Sequence, residues 1–429
     1  MMKFFLIVFI GLFSPWVCAQ FNNVKIPIPK KATYKFSQVE PSICINPNNT
    51  DEIIAGTVFN DYYFSKDGGY TWKSKSLKSK FGVNGDPCVV IDNQGRPYYM
   101  HLSNIDGKAL VGGIVCQTGR SVKGRFTRVS HTLVDGKFHD KEWAAVNPKN
   151  NNVYMTWTAF DAYNSEDPKD ESNIVFSKTT DEGKTWSIPK IISTIPGDCA
   201  DDDKTAEGAV PAVGPEGEIY VAWSRNDSIW FNVSKDEGET WLAKEQFIAN
   251  QSKGWNLEII GLFRTNGMPI TAADRSGKDH HGDIYVNWAD QRNGATDTDI
   301  WLKKSSDKGE TWSQPIRVNQ DTTATHQFFT WMTIDQTTGY LYFVYYSRAN
   351  FEDFRTDVFM TVSKDGGQTF KEYKINDTPF SPNPKMFFGD YINISAHDGE
   401  IRPIWLRLDE GEISLFTTIV NQNQLNTLP

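Results

Sequence analysis

Cysteine is scarce in this sequence, with five among 429 residues, and histidine is hardly commoner at seven. Cys18 falls in the leader described below; the other four, Cys44, Cys88, Cys116 and Cys199, stand 44, 28 and 83 residues apart. Those intervals fit no zinc-ligand pattern, and four thiols are too few for a disulfide scaffold. They are expected as small buried side chains with at most one or two bridges. Metal signals are equally thin: His280 and His281 would point to opposite faces of a strand, and the acidic loop at residues 198–203 lacks the alternating ligands of a calcium loop. There is no glycine-rich phosphate loop, no Gly-x-Ser-x-Gly elbow and no Cys-x-x-Cys. No metal and no cofactor are therefore expected.

Positive charge is in deficit, with 44 Lys+Arg against 53 Asp+Glu and a net charge of -9. This excludes a broad nucleic-acid or anionic-membrane surface, while a few converging arginines remain able to hold a small anion. Long apolar runs are missing but for one. Residues 4–13 follow Lys3, and Val17-Cys18-Ala19 offers a small-residue cleavage site, which is the arrangement of a secretory signal peptide over residues 1–19. Nothing later approaches the roughly 18 apolar residues of a membrane span. Residues 20–429 are thus expected to form one exported domain, secreted or periplasmic and monomeric. Helical periodicity is lacking too, although 39% hydrophobic and 13% aromatic residues provide ample core material.

What is present is a repeat. Ser65-Lys66-Asp67-Gly68-Gly69-Tyr70-Thr71-Trp72 returns as Thr179-Thr180-Asp181-Glu182-Gly183-Lys184-Thr185-Trp186, then around Asp236, Asp307 and Asp365. The shared pattern, S/T-x-D-x-G-x-T-W/F, suits a tight turn between two strands. Its Asp accepts turn N–H groups, its Gly supplies a positive φ, and its aromatic opens the next strand. These boxes are expected to support the fold and take no part in chemistry. Their aspartates lie 114, 55, 71 and 58 residues apart, and the doubled first interval points to a worn copy at residues 117–126 that has lost its Asp.

Upstream of the boxes runs a second recurrence, of inner strands at residues 41–45, 87–91, 143–146, 209–213, 269–273, 329–334 and 391–394, each followed by a turn and a β-branched, aromatic strand. Four-strand units of this kind indicate an all-β fold, a β-propeller of seven blades, with six as the alternative. The last unit, residues 387–420, shows only three strands. Residues 24–28 are expected to supply the fourth and close the ring.

With strands numbered outward from the axis, the boxes fall on the turns from strand three to strand four. A site therefore belongs on the opposite face, where inner strands start and second strands end. The starts offer Glu40, Asp86, Asp140, Lys141, Glu142, Glu207, His326, Asp390 and Tyr391; the ends offer Asp61, Asp161, Arg225, Asp290, Arg292, Arg348 and Arg407.

Boxes and inner strands together resemble the Asp-box (bacterial neuraminidase repeat) superfamily, and its sialidase-like members in particular, over about residues 34–420. The resemblance implies an exo-sialidase-type glycoside hydrolase acting on terminal acidic sugars of glycans. Such an enzyme uses arginines to grip the substrate carboxylate, a tyrosine nucleophile activated by a glutamate, and an aspartate acid/base. On this pattern Tyr391 resembles the nucleophile, Glu207 its glutamate and Asp61 the acid/base. Asp86, in Gly85-Asp86-Pro87, resembles the contact to the sugar's acylamino group, and Arg225 the second carboxylate arginine. The family's Phe-Arg-Ile-Pro motif appears here as Gln38-Val39-Glu40-Pro41, so the first arginine is absent, and Arg264, Arg292 or Arg348 would complete the clamp. The alternatives are a lyase of uronate-containing polysaccharides, with Tyr391 or His326 abstracting a proton, and a non-catalytic propeller that binds glycan or protein.

Overall fold

The structure, a computed structural model, describes residues 21–29, 38–105, 107 and 111–428. The leader expected over residues 1–19 lies outside them. Among the described residues there are seven four-stranded antiparallel sheets, one two-stranded hairpin and a short helix, Gln422–Thr427. The sheets are the blades of a seven-bladed β-propeller. Their innermost strands are Ser42–Ile45, Gly85–Ile91, Phe138–Val146, Glu207–Val213, Ile270–Ala273, Gln327–Asp335 and Asn393–His397, all seven where the sequence pattern puts them.

Second strands such as Ile219–Ser224 are buried along their whole length, because each blade packs both of its faces against neighbours. The core accordingly lies between blades. One cluster joins Tyr154 and Phe176 of the third blade to Val213 and Trp223 of the fourth, and another joins Phe231 of the fourth to Trp288 of the fifth.

The repeated turns sit between strands three and four, as expected. In the fourth blade Asp236 Oδ1 accepts from Ser234 Oγ and from Thr240 N, each at 2.8 Å, while Oδ2 accepts from Thr240 Oγ1 at 2.6 Å. Asp67, Asp181, Asp307 and Asp365 repeat the pattern. The box glycine has a second duty besides its positive φ. At Gly238 (φ 82°) an added Cβ would stand 2.2 Å from Phe176 of the preceding blade, and Trp241 packs edge-on against the same ring at 5.2 Å. The worn copy behaves alike: Phe126 meets Tyr62 of the first blade edge-on at 5.0 Å. Each box thus fastens its blade to the one before.

The ring closes through the N-terminal strand Asn22–Lys25, which pairs antiparallel with Glu412–Asn421, Val24 facing Thr417, and Ile26 N continues the ladder to Leu415 O at 2.8 Å. The closing strand therefore begins two residues earlier than expected and ends at Lys25. Buried Arg402 adds a clasp across the seam, donating from Nε to Gly68 O of the first blade at 2.6 Å. The four thiols Cys44, Cys88, Cys116 and Cys199 form no disulfide. His280 and His281 occupy a turn and not a strand, His281 N donating to Lys278 O.

Candidate active site

The inner strands do not enter the sheet regularly. Pairing slips between Gly85 and Cys88, Asp140 and Trp143, Glu207 and Val210, and Phe328 and Trp331. At each slip the residue two before regular pairing resumes is left-handed: Asp86 (φ 48°), Lys141 (φ 55°), Gly208 (φ 78°) and Phe329 (φ 52°). Glu40 (φ 56°) holds the same place in the first blade, and Met268 and Tyr391 stand there in the fifth and seventh without the positive φ. Non-glycine residues in this region cost on the order of 1–3 kcal/mol each and gather where function demands them. One residue per blade is thereby brought to the axis. Going round the ring, Tyr391, Glu40, Asp86 and Lys141 make a polar arc, and Gly208, Met268 and Phe329 an apolar one.

Lys141, Gly208, Met268, Phe329 and Tyr391 line a narrow recess on the face opposite the boxes, with Asn266 and Asp390 on its wall. Its floor is Trp143 and Trp331, whose rings stack at a tilt 4.2 Å apart. Tyr391 packs on both, at 4.9 and 6.0 Å. Beneath the floor a second, wider cavity is lined by the inner strands and by Arg275 and Gln336 at the box end of the axis.

Charge in the polar arc is closely balanced. Lys141 Nζ lies 2.8 Å from Asp390, 3.7 Å from Asp86 and 3.9 Å from Asp140. Asp390 also takes Arg264 Nε at 2.7 Å, and its backbone oxygen accepts from Asn266 Nδ2 at 2.8 Å. Burial opposes ionisation of Asp390, but Lys141 and Arg264 overcome it and hold its pKa at about 2. Asp86 is likewise held below the usual carboxylate range against burial, by Lys141 and by hydrogen bonds from Asp140 and Glu40. Glu40 and Asp140 go the other way. Burial raises Glu40 strongly, helped by Asp86 and Asp390, and burial outweighs Lys141 at Asp140. Ionised and protonated carboxyls therefore alternate within one cluster. Carboxyls driven apart in this manner are what divides acid from base roles in a site.

Of the expected site residues, Tyr391, Asp86 and Arg264 meet here. Tyr391 stays a neutral phenol, raised by burial and then by Asp86, Glu40 and Glu142. Glu207 is fully buried with neither carboxyl oxygen hydrogen-bonded, and the ionisable groups that act on it are Asp140, Asp201, Lys141 and Asp86. It borders the cluster from the fourth blade and is not among the groups that act most strongly on Tyr391.

The remaining four stand elsewhere. Asp61 does not end the second strand of its blade: that strand is Ile53–Gly56, and Asp61 begins the third, taking Ser76 Oγ of the fourth strand at 3.0 Å. The strand ends at Gly56, a position that must be glycine because the Tyr99 ring would lie 2.6 Å from any Cβ there. Arg225 turns outward onto the Trp230 ring, 4.4 Å away, and pairs with Glu245 at 2.9 Å. Arg292 is spent on Asp290 and on the Trp301 ring at 4.0 Å. Arg348 lies between Phe328 and Phe354 and donates to Ile260 O at 2.6 Å. No three-arginine clamp forms among the described residues. His326, offered for the lyase reading, hydrogen-bonds Thr298 Oγ1 at 2.9 Å and is kept neutral, burial and then Arg348 lowering it to about 4.

The sequence offered Lys141 at an inner-strand start without giving it a role, and passed over Trp143, Trp331 and Asn266. For Lys141 there was a signal, since the run Asp140-Lys141-Glu142 puts three charges where an inner strand should be apolar. Also passed over was Tyr163, which donates to Asp201 Oδ2 at 2.7 Å beside Asp140. It comes from a loop with no pattern.

No protein-family model matches the sequence, and no curated protein matches it either. Solved structures do. A PL25 ulvan lyase bound to a GlcA(1-4)Rha3S unit superposes with a TM-score of 0.52 at 12% identity, over 92% of this chain and 99% of that one. The GH93 alpha-L-arabinofuranosidase of Fusarium graminearum in complex with arabinobiose gives 0.50 at 12%, over 94% and 98%. The Hadza microbial sialidase Hz136 gives 0.50 at 12%, over 87% and 73%. At such identity the likeness establishes the architecture: the chain has the fold of the sialidase-like β-propellers.

Proposed function

We propose that this is an exported glycan-active enzyme that hydrolyses a glycosidic bond in the axial recess, by a sialidase-type route on a terminal acidic sugar. The observation that carries the proposal is a tyrosine on the recess wall whose electrostatic neighbours are one carboxylate kept ionised, Asp86, and one carboxyl kept protonated, Glu40. In this mechanism the Tyr391 oxygen attacks the anomeric carbon and passes its proton to Asp86. Glu40 gives its proton to the departing glycosidic oxygen. The resulting Glu40 carboxylate then takes a proton from water, which displaces the sugar from Tyr391, and Asp86 returns the phenolic proton. Lys141 and Arg264, both anchored by Asp390, are the cations available to a substrate carboxylate. Asp86 and Glu40 thus take the parts that the family resemblance gave to Glu207 and Asp61.

A second reading is favoured by Lys141 and Tyr391 lining the same recess: abstraction of a proton from a uronate, with elimination of the neighbouring sugar. One assay separates the two. Release of free sugar from a sialic acid glycoside, lost in Tyr391→Phe, supports hydrolysis. Ultraviolet absorbance of an unsaturated uronate from acidic polysaccharides instead assigns the protein to the lyases. Glycoside turnover that survives Tyr391→Phe removes the proposed nucleophile.

A further inference from the structure

The two-stranded hairpin, Asn256–Leu257 with Thr265–Asn266, is an insertion between the fourth and fifth blades that belongs to neither. Its base is firmly held. Asn256 N donates to Asp203 Oδ1 at 2.8 Å, Thr265 Oγ1 to Leu257 O at 2.6 Å, and Arg264 and Asn266 reach Asp390 on the recess wall. Its tip is supported too, since Gly261 (φ 90°) leaves room for Phe354 and Ile260 O receives Arg348. Yet Ile260 is 71% exposed and Phe263 55% exposed. Neither is needed to hold the hairpin, and Phe263 presents apolar surface beside Arg264, which reaches Asp390 on the recess wall.

Phe263 meets Phe387 edge-on at 6.2 Å, and the Arg264 guanidinium lies 4.8 Å over the Phe387 ring. Arg264 is therefore a bridge, with one side paired to Asp390 in the recess and the other covering the aromatic shelf. An exposed apolar patch continuous with a polar recess is a surface shaped for a ligand that is apolar on one face and hydroxylated at its edge. A sugar ring is such a ligand.

We propose that Phe263 and Phe387, with Arg264, form a second sugar subsite, which holds the residue adjoining the one in the axial recess. The substrate is then a glycan chain and not an isolated sugar with any aglycone. This rests on the recess being a glycan site, and it adds where the chain leaves that site. Binding at a place remote from the reacting bond lowers KM for chains and leaves small substrates unaffected.

The test compares wild type, Phe263→Ala and Phe263→Tyr on two substrates: the polysaccharide found to be cleaved in a panel of acidic and neutral glycans, and the glycosyl fluoride of its terminal sugar, whose leaving group is a single atom. Phe263→Ala is expected to raise KM about tenfold on the polymer, to change kcat/KM on the fluoride less than about twofold, and to be rescued by Phe263→Tyr. Equal losses on both substrates, or no loss on either, overturn the subsite. If the wild type cleaves nothing, retention on the same glycans immobilised decides. Retention that Phe263→Ala abolishes upholds the subsite while the catalytic reading fails, and absence of wild-type retention sinks both.

Discussion

At the residue scale the site is governed by how burial and charge sort its carboxyls. Tyr391→Phe is expected to cut turnover by roughly 10²–10⁴-fold with binding little changed, and Asp86→Asn to match it, because both remove the same proton transfer. A KM increase with unchanged kcat for either variant would assign it to binding instead. Glu207 makes a separate prediction. Both its oxygens are buried without partners and its pKa is raised by burial, then by Asp140 and Asp201. In the unfolded chain it ionises near pH 4.3, whereas in the folded protein it keeps its proton well above that. The folded state then binds the extra proton, and stability falls as pH rises through this window. Glu207→Gln removes the effect. Its melting temperature relative to wild type should climb from about pH 4.3 upward, by at most about 1.4 kcal/mol of stability per pH unit. A constant offset at all pH values would show that Glu207 is not held protonated.

At the scale of the element, the boxes are fasteners between blades. Asp236→Ala should destabilise the protein by about 1 kcal/mol, the low end for lost hydrogen bonds because Thr240 N is solvent-exposed, and should leave turnover of the folded protein unchanged. Gly238→Ala should cost more, since the new methyl meets both a positive φ and the Phe176 ring. Thermal melts of the two variants check the order. Hydrogen bonds led by those from Thr240 hold Asp236 at about 2, and Thr311 does the same for Asp307. Such contributions are complete above the unfolded value near 3.9 and vanish as pH falls through about 2, so Asp236→Ala and wild type should converge in strong acid while Gly238→Ala keeps its deficit.

At the scale of the whole molecule, closure is the critical feature. The N-terminal strand completes the seventh blade and buries Phe21 and Ile26, which are 3% and 0% exposed. Deleting residues 21–26 should cost roughly 3–6 kcal/mol from those two side chains alone, and it leaves Glu412–Asn421 as an unpaired edge. A broadened melt and concentration-dependent aggregation are the expected readouts. A deletion variant that melts like the intact protein would mean that the ring holds without its closing strand.

The chain by itself determined the propeller architecture and the face that carries the recess, and pointed to seven blades with six as the alternative, for a local reason. A box is eight consecutive residues whose hydrogen bonds close within a single turn, and an inner strand is a short apolar run, so both are legible along the sequence. Asp86 and Tyr391 were reached by the same route, because topology alone says which strand ends share a face, whereas Arg264 entered only through the clamp that the family resemblance implies and stands on the inserted hairpin. What the tertiary structure decided is direction. Arg225, Arg292 and Arg348 also lie on that face, but Glu245, Asp290 and the aromatic rings beside them turn their guanidinium groups away from the axis. Lys141 turns toward it because a slipped register and a left-handed backbone reorient it, and Glu40 because of a left-handed backbone at the same place in its blade. The charged run Asp140-Lys141-Glu142 marks the place of Lys141 but not its direction, and the arginines carry no local mark of theirs, since it depends on partners supplied by distant stretches of chain. A side chain's place on a blade follows from counting strands, and its aim follows only from what is packed against it.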